Sequence, residues 1–159
     1  MSMPQIKAGI SVTRRSGERV IETIWVGALW TVGYLVVPAL FTLLENPALA
    51  GRTAAELFST VNMLGLACGL LLLLLSFANR NGQRWWLRGT VIGLMLAGHV
   101  AIEFWLIPAI EAAQGTGDFG NLHNLATTMY LIVSGLGLLL IALPVDANGS
   151  QVRTAKPQS

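Results

Sequence analysis

The stretch GHVAIEFWLIP (98–108) contains two ionisable side chains, His99 and Glu103, separated by one helical turn. Residues four apart in an α-helix lie on the same face of that helix. An imidazole beside a carboxylate can exchange protons, bind a cation or, with further ligands, hold a metal ion. Their neighbours in the stretch are apolar or small, so the pair is predicted to lie where water is scarce.

The composition predicts that this stretch belongs to a membrane protein. Of the 159 residues, 53% are hydrophobic and 11% are charged, and the mean hydropathy is +0.62, whereas soluble domains carry about 25% charged residues. Four apolar segments, 20–44, 57–78, 89–110 and 122–143, are each long enough to cross the hydrocarbon core as a helix. We expect an all-α, polytopic four-transmembrane-helix bundle, with the lipid bilayer as its partner and no binding of nucleic acid.

The charged residues predict the domain boundaries and the orientation. Residues 1–19 are polar and basic and are expected to form a mostly disordered cytoplasmic tail, residues 20–143 the transmembrane domain, and residues 144–159 a second cytoplasmic tail. Nine of the ten cations fall on one side of the predicted bundle: Lys7, Arg14, Arg15, Arg19, Arg80, Arg84, Arg88, Arg153 and Lys156. Only Arg52 falls on the other. Basic short loops stay in the cytoplasm, so both termini are predicted to be cytoplasmic in a bacterial inner membrane.

The connection after the first segment contains helix-start signals. Asn46 and Pro47 suit the N-cap and first position of a helix, and Arg52 and Glu56 are spaced to pair. We expect a short interfacial helix there that merges into the second span near Phe58. Four tryptophans close to predicted segment ends are expected at the membrane interfaces: Trp25, Trp85, Trp86 and Trp105.

Two features concern how the helices pair. YLVVPAL (34–40) resembles FWLIPAI (104–110), which suggests two tandem helical hairpins related by an axis along the membrane normal, although convergent helix-end chemistry explains one short match equally well. Small residues repeat at four-residue steps in the second and third segments: Gly65 and Gly69, then Gly89, Gly93, Ala97 and Ala101. Such stripes permit close helix packing, either inside one chain or in a homo-oligomer.

The buried polar groups of the apolar segments are expected to cluster between the midplane and the outer face. At 1.5 Å per residue, His99 lies about 16 Å and Glu103 about 10 Å from the outer end of the third segment. The predicted site residues are His99, Glu103, His123, Asn62, Thr127, Tyr130 and Tyr34. Ionisable residues inside membranes pair or mark a functional site. We therefore predict either structural interhelical contacts or an outward-opening pocket in which Glu103 responds to protons or cations.

A bound metal or cofactor is a weaker hypothesis. The candidate metal ligands are His99, Glu103, His123 and Cys68, but no spacing among them is diagnostic, and the single cysteine excludes an internal disulfide. The two histidines would lie about 15 Å apart along the membrane normal, so they cannot flank one haem iron. No cofactor is predicted, and haem held by one histidine stays open.

Several stretches of the chain resemble a known family. WVGALWTVGYLVVPALFTLLENPALAGRTAAELF (25–58) and the Leu122-His123 pair that leads into MYLIVSGLGLLLI resemble a bacterial family of unknown function related to the eukaryotic transmembrane protein 205. The resemblance covers most of residues 18–143, and it departs from the family at Asn124, where glycine is common. It implies a four-span inner-membrane protein with no assigned activity, and its eukaryotic relatives are linked to metal-drug tolerance and vesicle traffic.

These observations lead to one functional hypothesis and two rivals. We expect a non-enzymatic membrane protein that handles a solute, metal or other cation through its polar pocket. The first rival is a haem- or metal-binding redox membrane protein, since the layout resembles that of small four-helix copper-resistance proteins and haem-dependent protoporphyrinogen oxidases. The second is a scaffold or accessory subunit of a membrane complex.

Overall fold

Four long apolar helices make up most of the part of the chain that the structure describes. The computed structural model describes residues 3–78, 85–113, 115 and 117–143, with side chains from residue 13 onward except at 85. The helices that can cross a membrane are Thr13–Leu43, Pro47–Ala78, Trp86–Ala112 and Phe119–Ala142, here called spans 1 to 4. The all-α, four-span prediction is confirmed. The predicted tail at 144–159 lies outside the described residues.

The spans are built from six α-helices and two π-helical turns. In chain order the elements are α1 (Met3–Thr31), a π-helical turn (Val32–Val36), α2 (Val37–Leu43), α3 (Pro47–Ala78), α4 (Trp85–Ala101), a second π-helical turn (Ile102–Leu106), α5 (Ile107–Ala112) and α6 (Phe119–Ala142). Each span packs against the next in sequence, and span 4 packs against span 1. The result is a closed four-helix bundle in which Trp25, Leu29, Ile92 and Met95 belong to the apolar core.

The two π-helical turns share a local cause. Pro38 and Pro108 each follow a turn by two residues, and a proline ring inside a helix removes one N–H and clashes with the carbonyl four residues earlier. The helix widens just before the ring, so the N–H of Val37 bonds the carbonyl of Val32 in span 1. Ile107 bonds Ile102 in the same way in span 3. The matching turns are what two tandem hairpins would contain.

The predicted outer interfacial helix is not a separate element. The side chain of Asn46 caps span 2 by accepting the N–H groups of Ala48 (3.0 Å) and Leu49 (3.3 Å), and one helix then continues from Pro47 to Ala78. Ala50 and Ala54 are buried, so the inner face of span 2 already packs in its first two turns and gives the helix no reason to bend. Within the described residues no ion pair joins Arg52 to Glu56.

The expectation of a mostly disordered N-terminal tail is wrong for most of its length, since α1 begins at Met3. The charges of that segment form a network, here called the basic-end cluster, of Arg14, Glu18, Arg19, Glu22 and Arg88. Glu22 is fully buried and bonds Arg88 of span 3 as well as Arg19, at 3.0 Å. Arg14 pairs with Glu18 at 2.9 Å, one turn along the same helix. The charges therefore stabilise helix where their density suggested disorder.

The arginines of the basic-end cluster also join the ends of spans 2 and 4. Arg14 donates to the carbonyl of Leu75 at 2.6 Å, and Arg19 donates to those of Ile141 and Leu143 at 2.9 Å each. The last carbonyls of a helix have no partner within it and carry the negative end of the helix dipole. Cationic side chains from span 1 therefore hold two other spans at this end of the bundle.

Candidate functional site

His99 lies at the centre of the bundle and joins three spans. Its side chain is 0% exposed. Its Nε2 accepts the indole N–H of Trp25 at 3.1 Å, and its Nδ1 lies 2.7 Å from Oδ1 of Asn62. An indole nitrogen can only donate, so the proton of the neutral imidazole lies on Nδ1, which donates to Asn62.

Glu103 continues the same set of hydrogen bonds. The amide nitrogen of Asn62 donates to Oε2 of Glu103 at 3.1 Å, and the hydroxyl of Ser59 donates to Oε1 at 2.6 Å. We call Trp25, His99, Asn62, Glu103 and Ser59 the His–Glu cluster. Both carboxyl oxygens of Glu103 are acceptors in this arrangement, and hydrogen bonds run without a break from Trp25 through His99 and Asn62 to Glu103 and Ser59.

The helices bring these side chains together through spacing and one glycine. Ser59 and Asn62 are three residues apart on span 2, hence on one face, and Glu103 lies within the second π-helical turn. Gly65 allows the close approach, because a Cβ there would lie 2.7 Å from both His99 Nε2 and Trp25 Nε1. The helix therefore passes directly beneath the Trp25–His99 hydrogen bond.

Glu103 has no cationic partner in the described part of the chain. Every ion pair found there belongs to the basic-end cluster, at the other end of the bundle. Glu103 is half-buried, and only the neutral groups of Ser59 and Asn62 bond its oxygens. A carboxylate at membrane depth normally pairs with a cation. The His–Glu cluster thus provides hydrogen bonds to both carboxyl oxygens of Glu103 through neutral groups alone.

Two further predicted site residues, Tyr34 and Tyr130, lie in a separate aromatic group. The ring of Tyr130 packs edge-on against Phe58, with centroids 5.0 Å apart, and lies 6.2 Å from Tyr34. The hydroxyl of Tyr130 donates to the carbonyl of Leu29 in span 1. Tyr130 therefore links span 4 to spans 1 and 2 without bonding to the His–Glu cluster.

The last two predicted site residues are exposed near the start of span 4. His123 stacks on Phe119, with ring centroids 6.1 Å apart. The hydroxyl of Thr127 bonds the carbonyl of His123 at 3.0 Å, one turn back along its own helix. The structure therefore brings His99, Glu103 and Asn62 together but gives no contact between them and His123 or Thr127.

A metal or haem group does not fit His99 as the structure holds it. Each imidazole nitrogen already has a partner, so neither lone pair is available to iron or another metal without breaking a hydrogen bond. In the described residues no group of three or more histidine, cysteine, aspartate or glutamate side chains lies close enough to hold a metal ion. Cys68 is half-buried beside the core.

Sequence reasoning missed Trp25 and Ser59 as members of the cluster, and its placement of Trp25 at the interface is wrong. Trp25 is 0% exposed in the core, whereas Trp86 and Trp105 are more than half exposed. The helix begins well before residue 20, so Trp25 lies inside span 1 and not at its end. One sequence signal was available: Glu18, Glu22, Trp25 and Leu29 recur at helical spacing along one face.

The buried acids Glu18 and Glu22 were also missed: Glu18 was assigned to the tail at 1–19, and Glu22 stood at the very start of the predicted first segment. Their burial together with that of Arg88 shows that the inner face of span 1 continues through the charged segment. Glu18 and Glu22 are four residues apart, and Trp25 follows three residues later. All three therefore fall on one face of a helix that begins before residue 20.

The fold and the cluster define the class as a four-span α-helical membrane protein with a carboxylate–histidine cluster buried between its spans. A family described as a domain of unknown function (DUF4149) matches residues 21–118, and the chain belongs to this family. Neither a curated protein nor a solved structure matches the chain. The matched region includes the whole His–Glu cluster and all of spans 2 and 3.

Proposed function

We propose that this protein is a non-enzymatic inner-membrane protein that passes a small cation, or a solute coupled to one, with Glu103 as the ion-responsive group. The observation that carries the proposal is a half-buried carboxylate at membrane depth whose hydrogen-bond partners are all neutral. Such a group attracts a counter-ion because the surrounding protein offers it none in the described residues. Ionisable residues at membrane depth commonly mark ion pathways.

A purely structural role explains the cluster less well. Trp25, His99 and Asn62 already connect spans 1, 3 and 2 through uncharged groups. A glutamine at position 103 would add the same contact between spans 2 and 3 without bringing a charge into the membrane, which costs several kcal/mol. An ionisable acid at position 103, where an amide would serve, is therefore the property that the structural explanation leaves unexplained.

The finer features of the proposal rest on the sequence. The distribution of cations supports cytoplasmic termini, which places Glu103 in the outer half of the membrane. The resemblance to relatives of the eukaryotic transmembrane protein 205, linked to metal-drug tolerance, supports a role in transport. Tyr34, Thr127, Tyr130 and His123 are then proposed to line the outer approach to Glu103.

Ion flux into liposomes tests the proposal. Purified protein is reconstituted, and inward gradients of H⁺, Na⁺, K⁺ and Zn²⁺ are imposed in turn with a matching trapped dye. We expect the wild type to accelerate the entry of at least one cation over protein-free liposomes. Glu103→Gln keeps the size and hydrogen bonding of the side chain and removes its charge, so this variant should lose the acceleration.

Glu111→Gln is the matched control, since Glu111 is exposed on the same span and should keep wild-type flux. The proposal fails if no cation enters faster than in protein-free liposomes, or if Glu103→Gln conducts as the wild type does. In the first case, capture of a stoichiometric membrane partner would favour the scaffold alternative.

A further inference from the structure

We propose that the ion bound by Glu103 is a proton and that Trp25, acting through His99 and Asn62, makes the site selective for protons over metal ions. The inference rests on the proposed function for its relevance to transport, but it concerns only what occupies the carboxylate. Trp25 touches neither Glu103 nor its occupant in this account and is a positioning residue.

Selectivity originates at the indole of Trp25. Its N–H occupies Nε2 of His99, which leaves the imidazole proton on Nδ1. That proton is donated to Asn62 and holds the amide oxygen of Asn62 against His99. The amide nitrogen of Asn62 must then face Glu103, where it lies 3.1 Å from Oε2. One donor on span 1 thus fixes an amide orientation on span 2.

An amide turned this way repels a metal ion. Hard cations such as Na⁺ and Mg²⁺ need several oxygen ligands, but Asn62 presents N–H groups to the carboxylate and keeps its oxygen for His99. Beside Glu103 itself, only the hydroxyl of Ser59 could serve as an oxygen ligand from the cluster. Recruiting the oxygen of Asn62 would break the hydrogen bond to His99.

A proton fits the same geometry with one local change. When Oε1 of Glu103 takes up a proton, the new O–H can donate to the oxygen of Ser59, whose hydroxyl hydrogen turns to another acceptor. Helical serines commonly bond the carbonyl four residues earlier, here that of Ala55. The bond from Asn62 to Oε2 stays, because the carbonyl oxygen of the acid is still an acceptor.

The other titratable and charged groups at the Glu103 end of the bundle do not provide a counter-ion that would compete with the proton for Glu103. On span 3 His99 is held neutral by its two bonds, and on span 4 Tyr130 donates to a backbone carbonyl. Exposed groups of the neighbouring elements are Tyr34 on span 1, Arg52 and Glu56 on span 2, Glu111 on span 3, and Asp118 and His123 at the start of span 4. In this half of the bundle the described residues therefore offer the proton no second buried base.

Infrared difference spectroscopy in lipid nanodiscs tests the inference, because it detects the carbonyl stretch of a protonated carboxylic acid. On acidification the wild type should gain a buried-acid band that is lost in Glu103→Gln and that added Na⁺ does not suppress. Trp25→Phe removes the indole donor and frees Asn62 to turn. The carboxylate of Glu103 then loses the hydrogen bond from Asn62 that stabilises its charged form. The acid band should therefore persist to a pH about one unit higher, which is a roughly tenfold change in proton affinity.

In Trp25→Phe, added Na⁺ should also suppress the acid band, because the oxygen of Asn62 can now face the site. Trp105→Phe is the matched control, since Trp105 is 58% exposed, and its titration should match the wild type. Should Trp25→Phe fail to fold, benzothienylalanine at position 25 keeps the shape of the ring and lacks the N–H. Its titration should shift in the same direction.

Three results would overturn the inference: no Glu103-dependent acid band in the wild type, Na⁺ suppression of that band in the wild type, or titration of both position-25 variants identical to that of Trp105→Phe. None of these three results predicts the outcome of the liposome flux experiment. A site that binds Na⁺ would still make Glu103→Gln lose flux, so failure of the proton assignment and failure of the proposed function are distinguishable.

Discussion

Gly65→Ala tests whether the close approach of span 2 holds the His–Glu cluster in place. The added Cβ would lie 2.7 Å from Nε2 of His99, 2.7 Å from Nε1 of Trp25 and 3.0 Å from Cδ2 of His99. These atoms belong to two rigid rings that bond each other, and His99 is held on its other side by Asn62. Neither ring can move away without loss of a hydrogen bond.

The expected magnitude follows from three contributions. Overpacking a core by one methyl group costs about 1–3 kcal/mol, and loss of the Trp25–His99 hydrogen bond costs about 1 kcal/mol more. The higher helix propensity of alanine returns about 1 kcal/mol. We therefore expect Gly65→Ala to lower the free energy of unfolding by about 1–3 kcal/mol, measured by unfolding in mixed micelles with increasing SDS.

Gly93→Ala is the matched control. Gly93 lies within a span like Gly65, but a Cβ there meets no atom of the described residues within 4 Å. It should therefore leave stability unchanged or raise it slightly. Equal stability of the two variants would refute the argument, because it would mean that the two rings yield freely and that Gly65 does not define the cluster.

Two further predictions concern residues outside the His–Glu cluster. Glu22→Gln removes the charge of a fully buried acid while its arginine partners remain, and we expect the free energy of unfolding to fall by about 3 kcal/mol in the same SDS assay. Replacing exposed Glu45 by glutamine should change the free energy of unfolding by less than about 0.5 kcal/mol. Equal losses of stability in the Glu22 and Glu45 variants would contradict the structural role of the basic-end cluster. Gly33→Ala places a Cβ 2.6 Å from the hydroxyl of Tyr130 and should lower the thermal unfolding temperature in detergent. Gly27→Ala should leave the unfolding temperature unchanged, because a Cβ there meets no atom of the described residues within 4 Å. An equal fall of the unfolding temperature in both variants would contradict the packing argument.

The number and approximate positions of the spans could be predicted because long apolar runs have few alternatives in a membrane. The start of span 1 could not, since hydropathy discards charged residues, and Glu18 and Glu22 become tolerable only after Arg88 of a distant span is placed beside them. The misassigned Trp25 follows from that error. The start of span 1 and the position of Trp25 both depend on how spans 1 and 3 pack together, which no local sequence pattern reveals.

The His–Glu cluster was partly predictable for a similar reason. His99 and Glu103 share a helix face by spacing alone, whereas Asn62 was known only to fall at a similar depth on another span. Ser59 carries no signal, because serines in helices usually bond their own backbone. The homo-oligomer through small residues stays a prediction: Gly65 and Gly69 pack against side chains of spans 1 and 3, whereas a Cβ at Gly89 or Gly93 would meet no atom of the described residues within 4 Å.

A comparison of the two π-helical turns shows why Glu103 has no acidic counterpart in span 1. Gly33 and Glu103 are each the second residue of a π-helical turn, one in span 1 and the other in span 3. Glu103 faces span 2 and meets Ser59 and Asn62, while Gly33 faces span 4 and lies under the ring of Tyr130. These interfaces correspond when span 1 is matched to span 3 and span 2 to span 4.

At the interface of spans 1 and 4 an aromatic ring against a glycine fills the space that the interface of spans 2 and 3 gives to a carboxylate and its donors. Apolar packing is complete between spans 1 and 4, whereas an ionisable group, Glu103, lies between spans 2 and 3. Quantified acid-band intensity should therefore correspond to one proton per chain at this site. A value near two would mean that a buried acid of the basic-end cluster, such as Glu22, also takes up a proton, since the position in span 1 that corresponds to Glu103 is Gly33.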